Sequence, residues 1–336
     1  MKVHLLGLLS AVALATGLGS ANVIAQSPAD TVEAHVAAAK AAAGTDYTTV
    51  FSALCDPTLV APAAPPNVRD RSQWYAEPVK VFDNLYFLGQ SQSSTPGAPS
   101  AWAVSTSDGV IVLDTLFDYS VEGQIVDGLK KLGFNPAQIK YAIVGHGHFD
   151  HSGGAKYLQD HFGTRVLLSA ADWDWLDGNP PSQPRPKRDI VATDGQTLTL
   201  GDTTLTLYVT PGHTPGTIST LIPVKDGGRS HIVAQFGGTA FNWLRDKRYI
   251  TKDKSERIWF ETYSSSVRRF RDIVEKAGAD VLIANHSVFD GFWTKLPVLA
   301  TRRSGDPHPY VVGKDSVKRY LTVLDECAKA GLLRLK

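Results

Sequence analysis

The sequence predicts an α/β protein in which stacked β-sheets are flanked by helices. Three observations support this fold class. Short apolar runs with strand periodicity dominate the centre of the chain, segments with helical spacing lie between and after them, and turns rich in glycine and proline separate the two kinds. With 336 residues, of which 43% are apolar, the chain can form the core of one large domain or two small ones.

The first 25 residues predict a secretory signal peptide. Lys2 gives a positive start, residues 5–18 are apolar, and Val23-Ile24-Ala25 offers a small-residue cleavage site. The apolar run is short for a membrane span, although an uncleaved anchor is the alternative. No later segment of the sequence could cross a bilayer, so we expect the mature chain to be soluble and either periplasmic or secreted.

Residues 26–74 are interpreted as an N-terminal extension and linker, and residues 75–336 as the folded domain. The extension begins with an alanine-rich, helix-prone stretch at 26–45, and prolines recur through 57–66. The domain then alternates strands with helices. The strands predicted in its first half are 79–88, 101–106, 110–114, 140–144 and 165–168, and the helices are 120–132, 154–162 and 170–176.

The proline-rich loop at 177–187 leads into the second half of the domain, where strands predominate. The strands predicted there are 196–200, 203–209, 217–223, 231–235 and 280–284, and the helices are 255–277 and 314–330. Strands therefore occupy the centre and helices the outside, which is the pattern of stacked sheets covered by helices.

Acidic and basic residues are almost balanced, with 34 Lys and Arg against 33 Asp and Glu. Proteins that bind nucleic acid or an anionic membrane surface usually carry a strongly basic patch. The basic block at 185–188 is more typical of a solvated loop. We therefore expect no nucleic-acid partner and no binding to an anionic membrane surface.

Residues 145–154 read Gly-His-Gly-His-Phe-Asp-His-Ser-Gly-Gly and predict a metal site. They follow an apolar strand, so His146 and His148 face the same side of an extended segment and can converge on one metal. Asp150 and His151 lie one turn further on and can reach a second metal. This mixture of imidazole and carboxylate suits zinc. A histidine-rich surface loop is the alternative, but the flanking glycines favour a compact site.

Two further histidines also follow strand-like runs, which strengthens the prediction. His213 comes after strand 203–209, within Thr-Pro-Gly-His-Thr-Pro-Gly, and His286 comes after strand 280–284. Side chains at strand ends of a packed sheet lie on a rigid scaffold, as a metal site requires. The remaining histidines are interpreted as surface or structural residues: His4, His35, His161, His231 and His308.

This pattern resembles the metallo-β-lactamase superfamily. The motif His-x-His-x-Asp-His at 146–151, followed by two single histidines, is highly specific, and the likeness covers about residues 75–300. The resemblance implies an αββα sandwich, in which two mixed sheets pack face to face with helices outside. It also implies two zinc ions per chain, held by two sets of residues: His146, His148 and His213 for the first, and Asp150, His151 and His286 for the second.

Residues 234–241 contain no carboxylate and no cysteine, whereas hydrolases such as glyoxalase II and the lactonases have a bridging aspartate in this place. In this respect the chain resembles the third subclass of class B β-lactamases. Thr239 falls where that subclass usually has a serine, and Phe241 stands where many members have a second serine that holds the substrate carboxylate. Thr239 and Asn242 are candidate substrate-binding residues, with ordinary loop residues as the alternative, and Phe241 predicts weaker substrate binding.

The resemblance implies an exported zinc-dependent β-lactamase that opens its substrate by attack of a zinc-bound hydroxide. Asp150 would be the catalytic residue, because it would orient the hydroxide as well as ligate the second zinc. The first alternative is a zinc hydrolase of another lactone, ester or amide, which the missing bridging aspartate disfavours and Phe241 favours. The second alternative is an exported binding protein whose site has lost its activity.

Three residue roles stay open from the sequence. Asp114, at the end of a strand, either supports a ligating histidine or caps the strand. Trp243 either belongs to the core or lines the substrate cleft. In an oxidising compartment Cys55 and Cys327 pair with each other if they come close enough, and otherwise remain thiols or pair between chains.

Overall fold

The structure, a computed structural model, describes Met1 and residues 30–56, 67–92 and 98–335. Apart from Met1, the predicted signal peptide lies outside the described residues, and so does the proline-rich stretch at 57–66. Among the residues that are described, no helix is both long enough and apolar enough to cross a membrane.

The first sheet has seven strands in the order β1 to β7. The pairs among β1 to β4 are antiparallel, and those among β4 to β7 are parallel. The strands are Val79–Lys80 (β1), Leu85–Phe87 (β2), Trp102–Thr106 (β3), Gly109–Leu113 (β4), Ile139–Ile143 (β5), Arg165–Ser169 (β6) and Ile190–Ala192 (β7).

The second sheet has five strands in the order β12-β11-β10-β9-β8. Its pairs are antiparallel except for β11 with β12, which run in parallel. The strands are Thr197–Leu200 (β8), Thr203–Val209 (β9), Ile218–Asp226 (β10), Arg229–Phe236 (β11) and Val281–Ala284 (β12).

Helices flank the two sheets. They are Val32–Ala43 (α1), Thr48–Cys55 (α2), Asp127–Lys131 (α3), Phe149–Ser152 (α4), Ala155–Phe162 (α5), Ala170–Asp177 (α6), Glu256–Ala277 (α7), Phe292–Thr301 (α8) and Lys314–Arg334 (α9). A π-helical turn at Val121–Val126 leads directly into α3.

Alternation along the buried strands decides which layer each side chain joins. In β4, Ile111 and Leu113 pack between the two sheets, whereas Val110 and Val112 pack against the helical layer over the first sheet. In β12, Val281 likewise faces the other sheet. The layers are helix, sheet, sheet and helix, so the predicted αββα sandwich is confirmed.

The N-terminal extension is part of the folded body. Helices α1 and α2 pack with α7 and α9 on the outer face of the second sheet, in a cluster that includes Val50 and Leu321. Cys55 and Cys327 form a disulfide between α2 and α9. The intramolecular pairing left open by the sequence is therefore the arrangement that the fold adopts.

The predicted elements differ from the structure in several places, and the short helices α2 and α4 are among those that were not predicted. The run at 79–88 is broken into β1 and β2, because Asp83 donates its backbone N–H to Lys225 of the second sheet and leaves the strand path. Strand β7 was not predicted, since its three residues give too little periodicity. Helix α8 was missed because Pro297 lies inside it.

Candidate metal centre

The candidate site lies at one edge of the sandwich, where strands from both sheets end. Strand β5 leads to His146, β9 leads to His213, and β12 ends just before His286. A backbone hydrogen bond of 2.7 Å from Ile218 N–H to the carbonyl of Gly145 joins the two sheets at this edge. The fold therefore brings together histidines that are far apart in the sequence.

Three imidazoles form the first group, His146, His148 and His213. The Nε2 atom of His213 lies 3.1 Å from Nε2 of His146 and 3.2 Å from Nδ1 of His148. These three ring nitrogens converge on one point, and in the group the candidate ligand atoms lie within 4.8 Å of one another. Three nitrogen lone pairs aimed at one point are the donor set that a zinc ion takes.

Asp150, His151 and His286 form the second group. The Nε2 atoms of His151 and His286 are 3.1 Å apart, and the Asp150 Oδ2 atom lies 3.4 Å and 3.5 Å from them. The candidate ligand atoms of this group also lie within 4.8 Å of one another. The structure thus brings all six predicted residues together as one group of three histidines and one group of an aspartate with two histidines.

The outer nitrogens of three imidazoles are each bonded to an acceptor that fixes the tautomer. The Nδ1–H groups of His146 and His213 donate to the carbonyls of Gly237, at 2.9 Å, and Ala240, at 2.7 Å. His151 Nδ1 lies 2.9 Å from a carboxylate oxygen of Asp114. His146 and His213 are therefore left with the Nε2 lone pair towards the site, and Asp114 fixes the orientation of the His151 ring, which is how partners of ligating histidines act.

The histidines of the first group are held neutral. Burial lowers the pKa of His146 and His213 well below the ordinary value, and lowers the pKa of His148 to about 4. A neutral imidazole has the free lone pair that a metal needs. The electrostatics and the geometry of the first group therefore fit a metal ion.

The carboxylates in and beside the second group favour a positive charge at this position. Burial lowers the pKa of His151, but Asp150 and Asp114 outweigh it and raise the pKa to about 10. Burial raises the pKa of the Asp150 carboxyl, but His151 and His286 outweigh it and hold the pKa well below its usual range. A buried, ionised carboxylate beside a position that favours positive charge also fits a cation.

Asp114 supports a ligand of the second group, which was one of the two roles open from the sequence. It is 1% exposed, and its second carboxylate oxygen accepts the backbone N–H of Gly145 at 2.6 Å. Its φ of 59° lies in the left-handed region, as does that of Leu116. Such backbone conformations cost free energy and persist where the surroundings hold them, often at functional sites.

Two supporting residues were missed by sequence reasoning. Asp172, fully buried in α6, accepts hydrogen bonds from the backbone of Gly147 and Gly216 and from the hydroxyl of Thr214. It thereby ties the loop of His146 to the loop of His213. Nothing in the local sequence around Asp172 distinguishes it from a helix residue, because its partners are distant in the chain.

Tyr249 is the second missed residue. Its hydroxyl donates to the carbonyl of His213 at 2.5 Å and lies 2.8 Å from His148 Nε2. With the hydroxyl proton committed to the carbonyl, Nε2–H of His148 donates to the tyrosine oxygen. This leaves Nδ1 of His148 as the atom that faces the other two histidines.

The four glycines of 145–154 permit close packing and do not serve a left-handed backbone. None of the four has a positive φ. They are needed for close approach, since a Cβ atom on Gly154 would lie 2.3 Å from the carbonyl oxygen of Thr115. Gly238 does the same for a ligand, because its Cβ would lie 2.3 Å from Cβ of His213.

The candidate substrate residues lie in different surroundings. Asn242 is half-buried, and its Nδ2 lies 3.4 Å from His148 Nδ1. Thr239 is 1% exposed, and its hydroxyl bonds the hydroxyl of Tyr320 at 3.0 Å, inside the core. Thr239 would have to leave Tyr320 before it could contact a substrate.

Phe241 and Trp243 both belong to the core. Phe241 is buried against Phe260 and Tyr263, with ring centroids 5.3 Å and 5.1 Å apart, and Trp243 is fully buried beside it. The ring of Phe241 packs into the core and offers no polar donor to the metal site, so the weaker substrate binding expected from it stays a prediction. Trp175 is half-buried, and its ring lies 6.2 Å from that of His148.

The other described histidines lie outside both groups. His35 forms a hydrogen bond with Glu326, and His161 with a backbone carbonyl of α5. His231 forms one with Asp280, and His308 with the carbonyl of Val81. His4 lies outside the described residues.

Comparisons with known proteins agree on one superfamily. Residues 94–226 match the family model described as the metallo-β-lactamase superfamily. An N-acyl homoserine lactonase of a Bacillus species is 28% identical over 159 residues, which make up 46% of this chain and 59% of the lactonase. The chain thus spans less than two thirds of the length of that relative.

Solved structures are similar over more of the chain. BJP-1, a subclass B3 metallo-β-lactamase of Bradyrhizobium japonicum, has a TM-score of 0.62 and 27% identity over 77% of this chain and 94% of its own. FEZ-1, a metallo-β-lactamase from Legionella gormanii, has a TM-score of 0.62 and 22% identity over 78% of this chain and 94% of its own. At this identity the similarity shows the fold alone.

Proposed function

Because the chain belongs to the metallo-β-lactamase superfamily, we propose that it is a zinc-dependent hydrolase that opens β-lactams. The observation that carries this proposal is the pair of complete ligand groups, one of three histidines and one of an aspartate with two histidines. No carboxylate from 234–241 is available to bridge them. The similarity to subclass B3 β-lactamases, over most of their length, supports the choice of substrate.

The two groups would hold one zinc ion each. His146, His148 and His213 would ligate the first, and Asp150, His151 and His286 the second. When bound, zinc supplies Lewis acidity towards a substrate carbonyl and a water nucleophile that is available at neutral pH.

Residues of the chain would orient the water and hold the ligating side chains in place. Asp150 is ionised and has one oxygen near the two histidines of its group, so its other oxygen is available to orient a water. It is our candidate for the catalytic residue. Asp114 would keep His151 in the ligating tautomer.

Asn242 is the candidate donor to the substrate. Its side-chain amide lies beside His148 and is half-buried, so it can reach a carbonyl or carboxylate oxygen at the metal site. The half-buried ring of Trp175 lies 6.2 Å from the ring of His148 and would provide an apolar wall. Thr239 would lie behind this surface, where its backbone carbonyl accepts a hydrogen bond from the hydroxyl of Tyr263.

A lactone is the second candidate substrate. The lactonase of Bacillus supports it, and so does the absence of a second polar donor at Phe241, since a lactone has no carboxylate to be held. Purified protein assayed with nitrocefin and with an N-acyl homoserine lactone, each with and without a chelator, separates the two. Chelator-sensitive opening of nitrocefin is expected. Lactone turnover that far exceeds every β-lactam would favour the second candidate.

Export to the periplasm or the medium completes the proposal. The disulfide between Cys55 and Cys327 supports it, because disulfides persist in oxidising compartments. Cell fractionation combined with intact mass tests it directly. The expected protein lacks about the first 25 residues and lies outside the cytoplasm, whereas a full-length cytoplasmic protein would contradict export.

A further inference from the structure

A second cavity shares a wall with the metal site. It has a volume of about 600 Å³, and Ala240 and Phe241 form part of its lining. The carbonyl of Ala240 accepts the Nδ1–H of His213, so this short segment contacts a candidate ligand as well as the cavity. The cavity itself contains none of the six candidate ligands.

The lining is apolar with two positive charges. Leu54, Leu244, Phe260 and Leu335 contribute hydrocarbon, and the lining includes no acidic residue. Arg245 and Arg334 also line the cavity and are exposed to solvent. Within the described ranges neither guanidinium forms a hydrogen bond or an ion pair, so both are available to an anion at the rim of the cavity.

We propose that this cavity binds an amphipathic anion, namely a fatty acid of medium chain length. The alkyl chain would lie against the apolar lining, and the carboxylate would reach Arg245 and Arg334 at the rim. The volume is in the range of small-molecule sites, and a few polar groups on an apolar lining are typical of such sites. Arginine is the side chain best suited to hold a carboxylate, because its planar fork matches the two oxygens.

The N-terminal extension completes this cavity. Ala53 and Leu54 come from α2, directly before Cys55 of the disulfide, and Gly331 comes from α9. A Cβ atom at Gly331 would lie 2.3 Å from the Phe260 ring, so a glycine is needed for α9 to pack there. The site therefore needs α2 and α9 to be held together, as the disulfide does.

Calorimetric titration of the full-length mature protein with monomeric decanoate and with 1-decanol tests the proposal. We expect saturable binding of one decanoate per chain, with 1-decanol at least about tenfold weaker, since charge-assisted hydrogen bonds contribute about 1.5–3 kcal/mol. In the double variant Arg245→Ala and Arg334→Ala, the affinity for decanoate should fall to that for 1-decanol. Arg268→Ala, an exposed arginine outside the cavity, is the matched control and should bind like wild type.

A second variant distinguishes this cavity from the metal centre, where a carboxylate could also bind. Ala53→Trp would fill the cavity and should abolish binding of both ligands, while the zinc content stays unchanged. Decanoate that binds Ala53→Trp or the double arginine variant as tightly as wild type would overturn the proposal. Binding to phosphatidylglycerol vesicles without any binding of monomeric decanoate would overturn it as well, in favour of a membrane surface.

Discussion

Single residues at the metal centre act through hydrogen bonds that join loops distant in the chain. Asp172 connects the backbone on either side of the site, and Tyr249 connects His148 to the carbonyl of His213. Neither residue is a candidate ligand. They place the ligands, and partners of this kind typically change metal affinity or activity by about 10- to 100-fold when they are removed.

Asp172→Asn should lower both zinc affinity and turnover by about tenfold. An amide has only one acceptor oxygen, so it cannot accept from Gly147, Gly216 and Thr214 together, and its NH2 group would face N–H donors. Zinc titration against a competing chelator, followed by an activity assay, measures the effect. Asp174→Asn, on the exposed side of the same helix, is the control. Equal zinc affinity in both variants would contradict the assigned role.

Tyr249→Phe should also weaken zinc binding, by about tenfold, because Nε2–H of His148 loses its acceptor and the ring is free to turn. Its aromatic packing against Trp175 is retained, so the folded state should survive. The control is Tyr208→Phe, a half-buried tyrosine outside the site. The idea fails if the two variants have the same zinc affinity as wild type.

The six candidate ligands could be predicted from sequence because local spacing carries the signal. His146, His213 and His286 come soon after strands, and the other three lie with His146 in one short motif. Asp172 and Tyr249 could not be predicted, since their partners lie between 25 and 101 residues away along the chain. The packing of Phe241 could not be predicted for a related reason, because its position in the sequence does not show that the side chain turns into the core.

At the scale of elements, the docking of α1 on α9 combines apolar packing with one polar contact. His35 lies on α1, with Nδ1 2.6 Å from a carboxylate oxygen of Glu326 on α9 and Nε2 2.8 Å from Asp30. Burial lowers the pKa of His35, but these two carboxylates outweigh it, and the net pKa is raised. The contact is therefore strongest when the histidine is protonated.

The His35 contact should make stability depend on pH. A histidine with a raised pKa in the folded state stabilises that state below its unfolded pKa of about 6.5, and the stabilisation is lost as the pH rises through the folded pKa. The loss of unfolding free energy in His35→Ala should thus be larger at acidic than at alkaline pH in denaturant titrations. His161→Ala, whose ring bonds a backbone carbonyl, is the control. A loss that is equal at both pH values would refute this.

Strands and helices with strong periodicity were predictable, including β9, α7 and α9. The elements that were missed depend on tertiary structure. Strand β7 exists because β6 offers its edge, and α8 accommodates Pro297 within a helix that packs on the sandwich. In both cases packing outweighs a weak or unfavourable local preference.

At the scale of the whole molecule, the disulfide closes a loop of 272 residues and holds the N-terminal extension on the sandwich. The double variant Cys55→Ser and Cys327→Ser should lose about 2–5 kcal/mol of unfolding free energy. Limited proteolysis should cut the extension sooner, because α2 is no longer tied to α9. Zinc content should stay the same, since no ligand lies in α1 or α2. Unchanged stability and unchanged proteolysis would show that packing alone holds the extension.

The number of zinc ions per chain tests the central claim most directly. Elemental analysis of purified protein should find two zinc ions in wild type and in His161→Ala, and about one in His148→Ala and in His286→Ala, because each of these variants breaks one ligand group. Circular dichroism should show that all four proteins are folded. Wild-type protein that binds no zinc, or folded His148→Ala and His286→Ala variants that keep both ions, would contradict a two-zinc centre built from these six residues.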